Sequence, residues 1–181
     1  MTAVPGTRLR IMTADELKQK QGPLKARYRE EPQAAFHTLS AEGQLDIGRI
    51  ACVVVTSGPR VEAGLHPAAG GDGGFACSGD MLLQALVGCA GVTLLAVATA
   101  LAIPIESGRV IAEGDLDFRG TLGVARDVPI GFMAIRLRFE LVGDVTDDQR
   151  GSLLKLTERY CVVAQSLKCP IAVAITAGAC G

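Results

Sequence analysis

Two cysteines carry the residue types and spacing that could do chemistry in this chain. Cys89 lies in the middle of the longest uncharged stretch, Met81 to Ile105, with Gly88 before it and Gly91 two residues after it. Cys161 lies far downstream, in a second segment with apolar residues on one face. Small neighbours leave a thiol open to a substrate, and a second thiol that the fold brings near makes a reversible disulfide possible. The pair therefore predicts a redox site.

The thiolate is the reactive form of cysteine, and an ordinary thiol is mostly protonated at neutral pH. A working Cys89 needs a cation or a hydrogen-bond donor close by, and the charged segment before residue 32 offers Arg27 and Arg29. With a peroxide, the thiolate attacks one oxygen, releases an alcohol or water, and becomes a sulfenic acid. A nearby Cys161 would condense with it to a disulfide. Apolar neighbours favour an alkyl hydroperoxide over hydrogen peroxide.

Composition excludes several other classes of function. The 181 residues suffice for one domain, the net charge is −1, and neither a basic run nor interleaved aromatic residues indicate nucleic-acid binding. The six cysteines show no CxxC pair and only two histidines accompany them, so we expect no metal or other cofactor. The first residues lack the apolar core of a secretory signal, which predicts a reducing, cytoplasmic location. Cys52 and Cys180 are expected to be inert.

The uncharged stretch from Met81 to Ile105 is also long enough to cross a bilayer. However, Asp80 and Glu106 bound it, no Lys or Arg flanks it, and small and polar residues interrupt its apolar ones. A helix that is apolar all round can equally form the centre of a soluble core. We therefore expect no membrane insertion.

The predicted elements alternate in an α+β order with mainly antiparallel pairing. A short helix is predicted after Thr13 and ends at Gly22-Pro23. A long helix is predicted from Ser78, as N-cap, to the residues just before Pro104. A third helix is predicted after the N-cap Thr146, with one face formed by residues between Leu153 and Ala164. Strands are predicted at 33–40, 49–56, 109–119, 132–142 and 171–176, with Ala41 to Gln44 as a connection and 64–75 as a glycine-rich loop that passes close to other backbone.

The run from Ser78 to Leu94 resembles the central-helix signature of the OsmC/Ohr family (osmotically inducible protein C and organic hydroperoxide resistance protein). An acidic residue opens that helix, a Leu-Leu run follows, and a cysteine lies near its middle. Cys161, with a short loop and a last strand from Ile171, matches the placement of the family's second cysteine. The resemblance covers Gln33 to Thr176. It implies an N-terminal extension with a short helix at 1–32 and an OsmC-like domain at 33–181.

The resemblance also implies an activity, an assembly and site residues. Members are thiol peroxidases without metal or haem, in which antiparallel sheets of an intertwined homodimer wrap around two long central helices. By this resemblance Cys89 is the peroxidatic cysteine and Cys161 the resolving one. Arg29, with Arg27 as substitute, would steady the thiolate, and Asp80 would take the place of the family glutamate. A dihydrolipoyl-type dithiol would be the reductant.

Some alternatives stay open at this point. The family's Cys-Pro pair occurs at Cys169-Pro170, but it abuts the last strand, so Cys161 is preferred as the second cysteine. The same thiols could serve a non-catalytic redox sensor or a small-ligand-binding protein of the family. They could also simply pack in the core of a dimer, because free cysteine often behaves as a small hydrophobic residue.

Overall fold

The structure, a computed structural model, describes residues 11–56 and 58–178, so Cys180 lies outside the described residues. The helices are α1 (Ala14–Glu30), α2 (Ser78–Ala100), α3 (Phe118–Thr121), α4 (Asp147–Tyr160) and α5 (Val162–Ser166). The strands are β1 (Glu42–Asp46), β2 (Ala51–Val55), β3 (Val61–Gly64), β4 (Ala76–Cys77), β5 (Ser107–Asp115), β6 (Ala134–Val142) and β7 (Ile171–Ala177). Single 3₁₀ turns cover Pro32–Ala35 and Pro67–Ala69.

The strands form two sheets, one with the order β1-β2-β3-β4 and one with the order β5-β6-β7. The predicted α+β class is confirmed. Antiparallel pairing holds for β1–β2, β2–β3 and β5–β6, but β3–β4 and β6–β7 are parallel. The parallel pair β6–β7 has a physical reason. The chain between these strands forms α4 and α5, and such a helical crossover returns the next strand in the same direction.

The main core lies between the second sheet and the helices α2 and α4. Strand β6 turns alternate residues into it, as predicted, and α2 and α4 each contribute one face. The buried residues are Ile135, Leu137, Phe139 and Leu141 of β6, Leu86, Ala90, Leu94 and Ala98 of α2, and Leu153 and Thr157 of α4. The positions at which the two cysteines sit are therefore fixed by well-packed elements.

The N-terminal helix is longer than predicted, because it continues through Gly22-Pro23 to Glu30. A proline inside a helix removes one hydrogen bond and restricts the residue before it through a clash with that residue's Cβ. Here the preceding residue is Gly22, which has no Cβ. The capping box of Thr13 and Glu16 and the favourable charges at both ends add further support.

The first hairpin lies further along the chain than predicted. No strand forms at 33–40, since Pro32 begins a 3₁₀ turn instead, and the predicted connection from Ala41 to Gln44 lies mostly in β1. The real turn follows Asp46, whose carboxylate accepts a hydrogen bond from the Arg49 backbone N–H at 3.2 Å. An aspartate side chain that bonds backbone a few residues on fixes a turn locally.

The loop before α2 passes close to other backbone, as the glycine pattern predicted. A Cβ added at Gly71 would lie 1.8 Å from the carbonyl oxygen of Leu65, so only glycine fits there. Gly70 adopts a φ of +93°, in the left-handed region. Ser78 is the first residue of α2 rather than its N-cap, a position that Cys77 occupies without a side-chain hydrogen bond.

Helix α2 is the one helix among residues 11–56 and 58–178 that passes the length and composition test for a membrane span. Its most apolar window has a mean hydropathy of 2.1, and 22% of that window is buried inside the chain. Most residues of this window are therefore at least partly exposed on the single chain.

The capping box of α4 predicts a measurable effect on stability. Thr146 accepts from the Gln149 backbone N–H at 3.3 Å, and the Gln149 side chain accepts from the Thr146 N–H at 3.0 Å. Thr146→Ala should lower the free energy of unfolding by about 1 kcal/mol, because the Gln149 backbone N–H loses its partner at the start of a core helix. Urea unfolding at a fixed protein concentration measures this.

Thr13→Ala is the matched control, because it removes an identical cap from α1, which has no buried residue. Its effect on the global transition should be clearly smaller. Equal losses in the two variants would show that α1 belongs to the same cooperative unit as α4.

Candidate active site

Cys89 is held by the middle of α2, on a side that faces the α4–α5 region. The stripe of Leu86, Ala90 and Leu94 faces the second sheet, and Cys89 and Thr93 lie beside it. Because α2 contacts both α4 and α5, the Cys89 side chain meets those helices while part of it stays accessible. On the other side of the residue, nothing lies within 4 Å of a Cβ added at Gly88.

Cys161 lies at the break between α4 and α5. Its backbone N–H donates to the Thr157 carbonyl at 3.0 Å, which ends α4, and its carbonyl accepts from Gln165 N–H at 3.0 Å, which begins α5. The predicted continuous stripe from Leu153 to Ala164 is therefore interrupted, because Cys161 has extended backbone angles (φ −74°, ψ 104°). Its side chain is 1% exposed and packs in the core. The break leaves the first N–H groups of α5 without helical partners.

The structure brings the thiols of Cys89 and Cys161 within hydrogen-bonding reach of each other. Burial is the largest single influence on the Cys89 thiol and raises its pKa. Four donors oppose burial: the Val163 N–H, the Cys161 thiol, the Val162 N–H and the Thr93 hydroxyl. Together they hold the pKa of Cys89 below its ordinary value, because hydrogen bonds to sulfur favour the thiolate.

The Thr93 hydroxyl is the weakest of these donors. It has one proton, and it already donates to the carbonyl oxygen of Cys89 at 2.8 Å. A proton directed at that carbonyl is not available to the sulfur at the same time. We therefore attribute the lowered pKa mainly to the two backbone amides and to the neighbouring thiol.

Cys161 is perturbed in the opposite direction. Burial raises the pKa of its thiol, and the hydrogen bond and negative charge of Cys89 act in the same direction. When the pair loses a proton, Cys89 therefore loses it before Cys161 does. The structure thus places the two cysteines together, and their roles as nucleophile and resolving residue stay predictions.

The other predicted site residues are not brought to this pair within one chain. Arg27 and Arg29 lie in the last turn of α1 and are exposed, and Arg27 pairs with Glu31 at 3.6 Å. Asp80 is exposed in the first turn of α2. Nine residues of helix place Asp80 about 13–14 Å from Cys89 and roughly on the opposite face. Their roles stay predictions.

Sequence reasoning did not identify the donors that the structure shows. The sequence predicted a cation beside Cys89, whereas the amides of Val162 and Val163 approach its sulfur. No local signal marks these residues, since Val162 and Val163, although β-branched, are themselves helical at the start of α5. A helix that restarts after a break presents free amides.

Metal-ligating residues do not cluster in the part of the chain that the structure describes. No group of three or more His, Cys, Asp or Glu side chains is placed there so that it could hold a metal ion. The expectation that no cofactor is used stays a prediction.

Comparison with known proteins shows the family. The family described as OsmC-like protein matches residues 71–176, which include both cysteines of the site, all of α2 and α4, and the second sheet except the last residue of β7. Because this match covers more than half of the chain, the chain belongs to the OsmC-like protein family. A comparison with curated proteins found no match.

Solved structures of the same family share the fold. An OsmC-like protein from Mycoplasma pneumoniae has a TM-score of 0.62 at 14% identity, covering 77% of this chain and 98% of that one. OsmC of Legionella pneumophila, described as an organic hydroperoxide resistance protein, has a TM-score of 0.62 at 13% identity (78% and 99%). An organic hydroperoxide resistance protein from Elizabethkingia anophelis has a TM-score of 0.63 at 13% identity (78% and 98%). At these identities the likeness concerns the fold.

The geometry predicts how the ionisation of Cys89 responds to its neighbour. Cys161→Ala removes a donor to the Cys89 sulfur, so the pKa of Cys89 should rise. Cys161→Ser keeps a hydroxyl donor, so the pKa should rise less. The pH dependence of iodoacetamide alkylation, followed at Cys89 by peptide mass spectrometry, measures both values.

Cys52, in β2, provides the internal reference in the same digest, since it is also partly exposed. Alkylation of Cys89 should occur at a lower pH in the wild-type protein than in Cys161→Ala, while the yield of Cys52 alkylation at one fixed pH should be the same in both proteins. Identical Cys89 profiles in the two proteins would contradict the stabilisation of its thiolate by Cys161.

Proposed function

We propose that this protein is a thiol-dependent peroxidase that reduces organic hydroperoxides to alcohols. The observation that supports it is the contact between a partly exposed Cys89 with a lowered pKa and a buried Cys161 with a raised one. Membership of the OsmC-like family and the likeness in fold to organic hydroperoxide resistance proteins support the same reaction class.

The reaction follows from the protonation states of the pair. The Cys89 thiolate attacks the outer oxygen of R–O–O–H, the O–O bond breaks, and the departing RO⁻ takes a proton from solvent to leave as an alcohol. Cys89 is then a sulfenic acid. The Cys161 sulfur attacks it, and its proton and the hydroxyl of the sulfenic acid leave as water. The oxidising equivalents of the peroxide end in a Cys89–Cys161 disulfide.

The reductant must return two electrons and two protons to this disulfide. A dithiol of the dihydrolipoyl type would supply both and leave as a cyclic disulfide. The reaction needs neither a metal nor another cofactor, since the sulfur itself is oxidised and reduced. We also propose a cytoplasmic location, because a reducing compartment keeps the resting thiols reduced.

We propose that the working form is a homodimer, because two apolar surfaces of the single chain are uncovered. The first is a stripe on α2, formed by Ala85, Gly88, Val92 and Leu95 at helical spacing, with Val92 71% exposed. The second is the first sheet with its turn, where no residue of β1–β3 belongs to the main core. It exposes Leu45, Ile47, Ile50 and Val55. Contiguous apolar surface of this kind marks an interface.

The stripe on α2 borders the redox site, since Ala85 is one helical turn from Cys89. A second copy packed on this stripe would therefore complete the wall of the site. Arg29, or Arg27 in its place, and Asp80 could then approach Cys89 from the partner subunit, as the family resemblance implies. Such a guanidinium would add to the amide donors and lower the pKa of Cys89 further.

The activity is tested by repeated turnover. Wild-type protein with excess dithiothreitol should consume many equivalents of tert-butyl hydroperoxide, with a rate that falls as the pH drops through the pKa of Cys89. Cys89→Ser should abolish consumption, and Cys161→Ser should slow it, because the sulfenic acid then has no internal partner. Cys52→Ser is the control and should leave the rate unchanged.

One equivalent of peroxide consumed, followed by no further turnover, would contradict the peroxidase and favour a redox sensor with the same thiols. No reaction of Cys89 at all would contradict both.

The dimer is tested by a charge in the α2 stripe. Light scattering should give wild-type protein about twice the chain mass of 18.8 kDa. Val92→Glu should convert it to monomer, because an unpaired carboxylate would be buried between the two helices. Val124→Glu is the matched control: Val124 is 73% exposed but lies in the loop between α3 and β6, so the mass should not change. A monomeric wild type would contradict the proposal.

A further inference from the structure

Reduction of the Cys89–Cys161 disulfide raises a problem of access. A thiol that attacks Cys161 releases Cys89, whose lowered pKa makes it the better leaving group. Attack on Cys89 would instead release Cys161, whose pKa is raised. The chemically favoured target is therefore the sulfur that lies in a side chain 1% exposed to solvent.

A cavity of about 290 Å³ leads to Cys161 from the side of the sheet. It lies between α4, the segment after it and strands β6 and β7, and Cys161 and Cys169 both line it. Thr157 lines it as well, and its buried Oγ1 has no hydrogen-bond partner. A buried hydroxyl without a partner is costly and indicates that the cavity receives a polar group.

Cys169 also lines a second, larger cavity of about 530 Å³ at the start of α2. Its walls are mainly apolar, with Leu82, Leu116 and Phe132 among them, and it carries the cation of Lys168. Cys169 is partly exposed. It therefore lies between a space that reaches the buried Cys161 and a space large enough for a small organic molecule.

We propose that Cys169 is a third redox thiol, which takes over the disulfide from the buried pair and presents it to the reductant in the larger cavity. The proposal rests on the proposed function for the origin of the disulfide. The Cys169 thiolate attacks the Cys161 sulfur, the Cys89–Cys161 bond breaks, Cys89 leaves as thiolate, and a Cys161–Cys169 disulfide forms. One thiol of a small dithiol with an apolar body then attacks Cys169, and Cys161 leaves with the hydrogen bond of the Thr157 hydroxyl and takes a proton from the dithiol. The second thiol of the dithiol attacks the resulting mixed disulfide, which releases Cys169 as a thiol and closes the dithiol to its own cyclic disulfide.

The chain between the two cysteines permits the movement that this exchange requires. They are eight positions apart (169 − 161), and α5 within that segment has no buried residue. A disulfide needs Cα atoms about 4.4–6.8 Å apart, and a segment without buried residues can adjust toward the shared cavity to meet that requirement. The free Thr157 hydroxyl can donate a hydrogen bond to a thiolate formed there.

The geometry is tested without peroxide. All variants carry Cys180→Ser, which removes a further thiol from consideration. In Cys89→Ser, diamide should cross-link Cys161 to Cys169, as found by peptide mapping after alkylation. Adding Cys77→Ser should not change this, although Cys77 lines the larger cavity. The proposal would be overturned if Cys161 remained without a cross-link after diamide treatment, or if Cys169 were cross-linked to Cys77 alone.

The kinetics are tested on the Cys89–Cys161 disulfide, also formed with diamide. Its reduction by about 0.1 mM dithiothreitol should be about tenfold slower in Cys169→Ser, since an internal thiol acts at roughly millimolar effective concentration. Cys52→Ser should reduce at the wild-type rate. Equal rates in wild type and Cys169→Ser would overturn the relay. Inactivity toward peroxide in a protein that passes both diamide tests would refute the peroxidase alone.

Discussion

The contact between the middle of α2 and the break that follows α4 is the interaction on which the chemistry of this protein depends. The break turns two backbone amides and one protonated thiol toward the sulfur of Cys89. Burial alone would raise the pKa of this thiol and keep it in the protonated, unreactive form. The amide donors reverse that effect without a charged side chain. Both helices pack on one sheet through the same core, so the contact is as rigid as the core itself.

Much of the fold could be predicted from local pattern. The alternation of β6, the capping box of Thr146 and the position of α2 follow from periodicity and cap chemistry, which are properties of a few neighbouring residues. The failures were also local. The first hairpin lies further along the chain than predicted because Asp46 forms the turn. Helix α1 is longer than predicted because a glycine precedes its proline. The parallel direction of β7 needed knowledge of the crossover, which no single segment contains.

The two thiols of the site could be identified from the sequence, but the groups that surround them could not. Cys89 and Cys161 stand out by residue type and context, and the structure places them together. The amides of Val162 and Val163 could not be recognised in the same way, because every residue except proline has an amide and only the backbone path selects these two. Arg29 and Asp80 are exposed on the single chain, and neither is among the groups that shift the pKa of Cys89.

Gly88 lies on the uncovered face of α2, and its presence there bears on how another helix would pack against α2. Glycine inside a helix costs about 1 kcal/mol relative to alanine, and here no atom of the surrounding structure would obstruct a methyl group. The single chain therefore gives no steric reason for this loss of helix stability at Gly88, one residue before Cys89. A close helix-to-helix approach at this point would supply one. In the proposed dimer, Gly88 would be the position at which the backbone of a neighbouring helix comes closest to α2.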